Sequence, residues 1–104
     1  MRGCIMNKFS NDNVQGLVSE ENVELLKVMA HPIRLQIVSE LAKSKKLNVT
    51  QLTNILDIPQ STVSQHLSKM KGKALKAERK GLEIYYHIQN SKADKIIQIL
   101  GHAN

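Results

Sequence analysis

Aromatic side chains are nearly absent: the 104-residue chain carries one Phe, two Tyr and no Trp. Proteins that grip single-stranded nucleic acid stack its bases on aromatic rings, so that mode of binding is poorly supplied. Cysteine occurs once, at Cys4, which excludes a disulfide within one chain and fits a reducing compartment. No run of 18 apolar residues is present to span a bilayer. The opening MRGCIMNKFSNDN has no continuous apolar stretch of the kind a secretory signal needs, so the expected location is the cytoplasm. Nor is there a nucleophile–base–orienter set, a pair of carboxylates or a glycine loop that could cradle phosphate, which argues against an enzyme.

What is present is ordinary globular material, 41% hydrophobic and 23% charged, long enough for a single modest core. The net charge of +6 favours an anionic partner. Residues 1–16 are polar and mixed and are expected to form a flexible N-terminal arm, leaving 17–104 as the folded domain. Cys4 falls in the arm, either as an inert exposed thiol or as the seat of an intermolecular disulfide or redox switch. No basic cluster marks it as activated.

From Ser19 the apolar spacing becomes helical. Ser19 is the expected N-cap of a first helix carrying Leu25, Leu26, Val28 and Met29. His31-Pro32 breaks it, and Pro32 suits the first turn of the next helix. That helix bears Ile33, Leu35, Ile37, Val38 and Leu41 around most of its circumference and belongs at the centre of the core. His31 and Arg34 are expected to cap and form salt bridges locally. A third, short helix follows, with Asn48 as N-cap and Val49, Leu52, Ile55 and Leu56 apolar, closed by Asp57-Ile58-Pro59.

The stretch from Pro59 to Lys71 is the informative one. Val63, Leu67 and Met70 make one narrow apolar stripe, while Gln60, Ser61, Thr62, Ser64 and Gln65 supply short hydroxyls and amides. Glu–Lys pairs would solubilise a surface helix better. Slim uncharged donors and acceptors are what can enter a DNA major groove and meet base edges. A short supporting helix, a tight turn and a second helix with such a face form the helix-turn-helix pattern.

Beyond Gly72 the period falls to two. Ala74–Lys80 is a weak strand candidate and Leu82–Ile88 a strong one, joined through Lys80-Gly81. Alternation places Leu82, Ile84, Tyr86 and Ile88 on one face. A basic hairpin directly after a reading helix is a wing. A last helix, with Ser91 as cap, carries Ile96, Ile97, Ile99 and Leu100. One short domain cannot easily bury both this helix and the first, and together they suggest a dimer interface. The expected fold is mainly α with a β-hairpin wing, a winged helix-turn-helix in the order α-α-α-α-β-β-α.

Between His66 and Lys80 lie six cations, Lys69, Lys71, Lys73, Lys76, Arg79 and Lys80, against one anion, Glu78. A charge run alone is usually just a solvated face. Here it flanks a helix with an uncharged polar face, and phosphate contacts could fix that helix on a duplex. Gln60, Ser61, Thr62, Ser64 and Gln65 are therefore the expected groove-entering residues, and Lys69, Lys71, Lys73, Arg79 and Lys80 the expected phosphate contacts. His66, beside the apolar stripe, is assigned to packing or to a phosphate rather than to base reading.

These residues resemble the ArsR/SmtB family of bacterial winged-helix repressors. Met29-Ala30-His31-Pro32-Ile33-Arg34-Leu35-Gln36-Ile37-Val38 is similar to its LAxPxRLxIL segment, Gln60–Leu67 to its recognition motif QSTVSxHL, and Gly81–Tyr86 to its wing, GxxxYY. The resemblance covers about residues 20–100. It implies a homodimer, paired through the first and last helices, that binds an imperfect inverted repeat in promoter double-stranded DNA and blocks transcription. Many members respond to metals through an LCVCDL-like segment, whereas Leu47-Asn48-Val49-Thr50-Gln51-Leu52 here puts Asn48 and Thr50 where its cysteines stand. Neither is a soft thiolate. A second site of the family, a DxH pair early in the last helix, becomes Asn90-Ser91-Lys92, with only His102 near the later ligand position. The resemblance is thus to the metal-insensitive members, with no cofactor and no metal. A sensor of the same fold using Cys4 or a dimer-interface pocket, and a basic protein-interaction module, are the rival functions.

Overall fold

The computed structural model describes residues 18–101. The expected arm over residues 1–16, Cys4 within it, and His102 lie outside the described residues. The elements run α1 (Glu20–Met29), α2 (Pro32–Ser44), β1 (Leu47–Asn48), α3 (Val49–Leu56), α4 (Gln60–Met70), β2 (Leu75–Lys80), β3 (Glu83–Ile88) and α5 (Ser91–Leu100). This is the expected winged helix-turn-helix order with one addition, the two-residue strand β1.

Four of the five helices, all but α4, begin where a side chain accepts from their unpaired N–H groups. Ser19 Oγ accepts from the Asn22 N–H at 3.1 Å, and Glu20 and Glu21 lie at the positive end of α1. His31 caps α2 through Nδ1, which accepts from the Ile33 N–H at 3.1 Å, while Pro32 needs no acceptor. Asn48 caps α3 as expected. The cap of α5 is Asn90 rather than Ser91: Asn90 has the extended backbone and its Oδ1 accepts from the Lys92 N–H at 2.9 Å, while Ser91 is already helical. Between α3 and α4 the chain turns in three residues. Asp57 takes the left-handed conformation, φ 58° and ψ 47°, returning its N–H to the Thr53 carbonyl at 2.8 Å.

One core unites the elements. Leu25 and Met29 of α1 meet Ile37, Val38 and Leu41 of α2, the helix that also touches α4, β3 and α5. Leu47, Leu52, Val63, Leu67, Met70, Ala74, Leu75, Ala93 and Ile97 complete the cluster. Val63, Leu67 and Met70 are each 0% exposed, so the narrow stripe of α4 is fully used. Truncating one such leucine to alanine typically costs about 2–5 kcal/mol. Ile55, assigned to the apolar face of α3, is instead exposed.

The sheet is antiparallel in the order β1-β3-β2, with Leu47 opposite Tyr86, Leu75 opposite Ile88 and Lys80 opposite Glu83. The last pairing makes the loop Gly81-Leu82, not Lys80-Gly81, with φ of 66° at Gly81, as a two-residue turn with glycine first requires. Leu82 therefore leaves the strand and sits at the hairpin tip, 96% exposed. Only the half of the alternating face nearer the helices is covered: Tyr86 and Ile88 pack against the core, while Ile84 is exposed. An alternating strand buries side chains only where something lies over it, and the outer half of this hairpin extends beyond the helices. Lys46 Nζ and Glu78 Oε1, 3.2 Å apart, tie β2 to the segment before β1.

Candidate nucleic-acid interface

The polar face of α4 follows from the burial of its other side. With Val63, Leu67 and Met70 turned inward, Ser61 and Gln65 project from the opposite side at a spacing of four residues, and both are exposed. Gln60 is exposed in the first turn, and Thr62 and Ser64 are half-buried flanks. Ser68 is exposed on the same outer row as Ser61 and Gln65. It is not among the expected groove-entering residues, although its position three residues after Gln65 places it on the same row. The Pro59 backbone starts the helix with no side-chain cap.

Five of the six cations form two groups, with Lys76 exposed between them on β2. Lys69, Lys71 and Lys73 are exposed at and just beyond the C-terminal end of α4. Lys71 is extended and bridges to Leu75, and Gly72, at φ 85°, turns the chain into the hairpin. Arg79 and Lys80 are exposed at the far end of the hairpin. Arg79 Nη1 donates to the Gly81 carbonyl at 3.2 Å, bracing the tip. Glu78, the one anion of this segment, bonds to Lys46, which holds its carboxyl below the usual range and offsets its charge.

Where α4 meets α1 and α2 lies a cluster with a different character. His66 is half-buried and accepts from Arg34 Nε at 3.0 Å through Nδ1. Arg34 forms this bond and one to the Val28 carbonyl, in place of the local salt bridge expected of it. Burial first, then the neighbouring His31 and Arg34, lowers the pKa of His66 below its ordinary value.

Of the positions that stand where the resembling family carries metal, Asn48, Asn90 and Lys92 have structural partners here. Asn48 is buried and bonded to Gln51. Asn90 caps α5, and Lys92 Nζ donates to Asn22 Oδ1 of α1 at 2.8 Å. Among the described residues, no group of three His, Cys, Asp or Glu side chains could hold a metal ion. No helix among them is long and apolar enough to cross a membrane.

Comparison with known proteins agrees with this geometry. Residues 31–73, from the cap of α2 past the end of α4, match the family described as bacterial regulatory protein, arsR family. The chain is 57% identical to the transcriptional repressor PagR of Bacillus anthracis, over 91% of this chain and 96% of that one. It is 36% identical to the HTH-type transcriptional regulator YgaV of Escherichia coli, over 79% of this chain and 84% of that one. Superposition on the crystal structure of PagR gives a TM-score of 0.77 at 63% identity, covering 79% of this chain and 94% of that one. These relatives are regulators of transcription rather than enzymes. The chain belongs to the arsR family of bacterial regulatory proteins, as a DNA-binding transcriptional regulator with a winged helix-turn-helix fold.

Proposed function

We propose that the protein is a cytoplasmic homodimeric repressor that binds an imperfect inverted repeat in promoter DNA and does so without a metal signal. The observation that carries this reading is the division of α4: one side wholly buried, the other a row of exposed uncharged polar groups, with cations at its end and on the hairpin. Ser61, Gln65 and Ser68, flanked by Gln60, Thr62 and Ser64, would meet base edges in the major groove. Lys69, Lys71 and Lys73, with the first free N–H groups of the uncapped α4, would hold phosphates, and Arg79 and Lys80 would follow the backbone near a minor groove.

A dimer is supported by an apolar groove between α1 and α5, lined by Val18, Leu25, Leu26, Ile96 and Ile99. Leu26, Ile99 and Leu100 remain exposed in the single chain, and a second copy would cover them. Paired reading helices then require two half-sites about 10 base pairs apart, or a multiple of that. Independence from metal is supported by the donors themselves. Asn48 and Thr50 offer no thiolate, and the side chain of Asn48 is engaged within α3.

Selection of binding sites from a random duplex pool tests the reading. An enriched palindrome is expected, with affinity unchanged by chelator and a log–log salt slope of about −7 if roughly 8 phosphates are neutralised per dimer. A pool that yields no palindrome would instead favour an acidic protein partner for the basic hairpin.

A further inference from the structure

Arg34, in the first turn of α2, reaches two other helices at once. Its Nε donates to His66 Nδ1 on α4 at 3.0 Å, and its Nη1 donates to the Val28 carbonyl near the end of α1 at 3.2 Å. His31 lays its ring against that of His66, with centroids 4.4 Å apart and planes at 46°. The Nδ1 of His31 is occupied by the Ile33 N–H. His31, the cap of α2, and Arg34, in its first turn, are the charged groups that bear on His66.

A guanidinium has donors and no acceptor, so the Nδ1 it faces must carry a lone pair. The imidazole is then neutral with its one N–H on Nε2. His66 is half-buried, so part of its side chain reaches the surface, and it directly follows Gln65 on α4. A ring with one nitrogen held by a cation is fixed in orientation, and the same bond polarises the N–H on its other nitrogen toward an acceptor. The expected phosphate cations are long, flexible lysines and one arginine; His66 is short, and its ring is held by Arg34.

We propose that Arg34 is a positioning residue for DNA binding, holding His66 through Nδ1 in the Nε2–H form so that the imidazole donates to a backbone phosphate beside the bases met by Gln65. This rests on the reading that α4 enters the groove. The group that would touch DNA is His66, and Arg34 acts only through it.

Two measurements separate the proposal from the reading beneath it. Nitrogen-15 NMR of the free protein reports which His66 nitrogen is protonated, with no DNA present. The Nε2–H form is expected in the wild type and a mixture of tautomers in Arg34→Gln. Affinity for a duplex enriched from a random pool, at fixed salt, gives the second readout. Arg34→Gln should bind about tenfold more weakly, the scale of one charged hydrogen bond. In a His66→Gln background, where the acceptor for Arg34 is gone, the same change should add less than about twofold.

An Nδ1–H form in the wild type, or an equal loss in both backgrounds, overturns the proposal. Should Arg34→Gln fail to fold, two single variants carry the test, because a Gln amide lies near the place of Nε2 and an Asn amide near that of Nδ1. His66→Gln, whose amide can donate near the place of Nε2 but gives Arg34 no ring nitrogen to hold, should then lose affinity about tenfold and His66→Asn at least as much, and either variant binding within about threefold of the wild type overturns the proposal. A wild-type chain that shows the Nε2–H form yet binds no duplex overturns the phosphate role together with the DNA reading, whereas DNA binding with an Nδ1–H ring overturns the positioning role alone.

Discussion

Asn48 and Gln51 hold one another across the start of α3. The Gln51 N–H donates to Asn48 Oδ1 at 2.8 Å, and the Asn48 N–H donates to Gln51 Oε1 at 2.9 Å. Two otherwise unpaired N–H groups are satisfied reciprocally, and Asn48 is 8% exposed, so water cannot easily replace the bond. Asn48→Ala should destabilise the fold by about 1–2 kcal/mol, and Asn48→Asp by much less, because aspartate caps as well. Denaturant unfolding at neutral pH checks both, and equal losses would mean that the cap is not what Asn48 contributes.

Gln65 and Lys71 should fail differently on DNA. Gln65→Ala removes an exposed amide from the outer row of α4 and should cost about 1–3 kcal/mol on the selected site while hardly changing affinity for random duplex. Lys71→Ala removes a cation beyond the helix end and should weaken both duplexes alike, reducing the salt slope by about 1 for each site lost. Parallel titrations on the two duplexes distinguish these outcomes, and identical behaviour of the two variants would refute the division of roles.

Ile99 is 82% exposed on α5, beside the groove shared with α1. Ile99→Glu should leave the protomer folded, because the side chain is outside the core, and should yield monomers in sedimentation. It should also abolish tight binding to the palindrome, since two reading helices on one body bind far better than either alone. A dimer that persists would place the interface elsewhere.

Acid should weaken the fold through His66. Its pKa is lowered from 6.5 by burial first and by His31 and Arg34 next. The unfolded chain therefore takes up the proton more readily than the folded one. Stability is complete above the unfolded value and falls as pH drops through the lower, folded value, where the protonated ring no longer accepts from Arg34. Unfolding curves at about pH 7.5 and about pH 5 should differ in the wild type and differ less in His66→Gln. An unchanged difference in the variant would show that other groups govern the acid limb.

Much of the reading helix was legible because it depends on local spacing. Val63, Leu67 and Met70 recur at helical intervals, and the three are equally buried. The capping residues Ser19, His31 and Asn48 were legible for the same reason: a cap and the N–H it serves lie two or three residues apart. Leu82 misled because alternation says which face a residue shares but not where that face runs out of cover. Strand β1 has two residues, too few for any period, and exists only because Tyr85 and Tyr86 pass alongside it. The bond from Arg34 to His66 joins positions 32 apart in sequence, so it became visible only once α2 and α4 had been packed together.

The pairing of β1 with β3 has a mechanical meaning. Asn48 is at once the cap of α3 and the partner of Tyr85 in the sheet, so the support of the reading helix and the hairpin are fastened at one residue. A reader whose helix and wing cannot swing independently has a fixed span between the two grooves they would occupy.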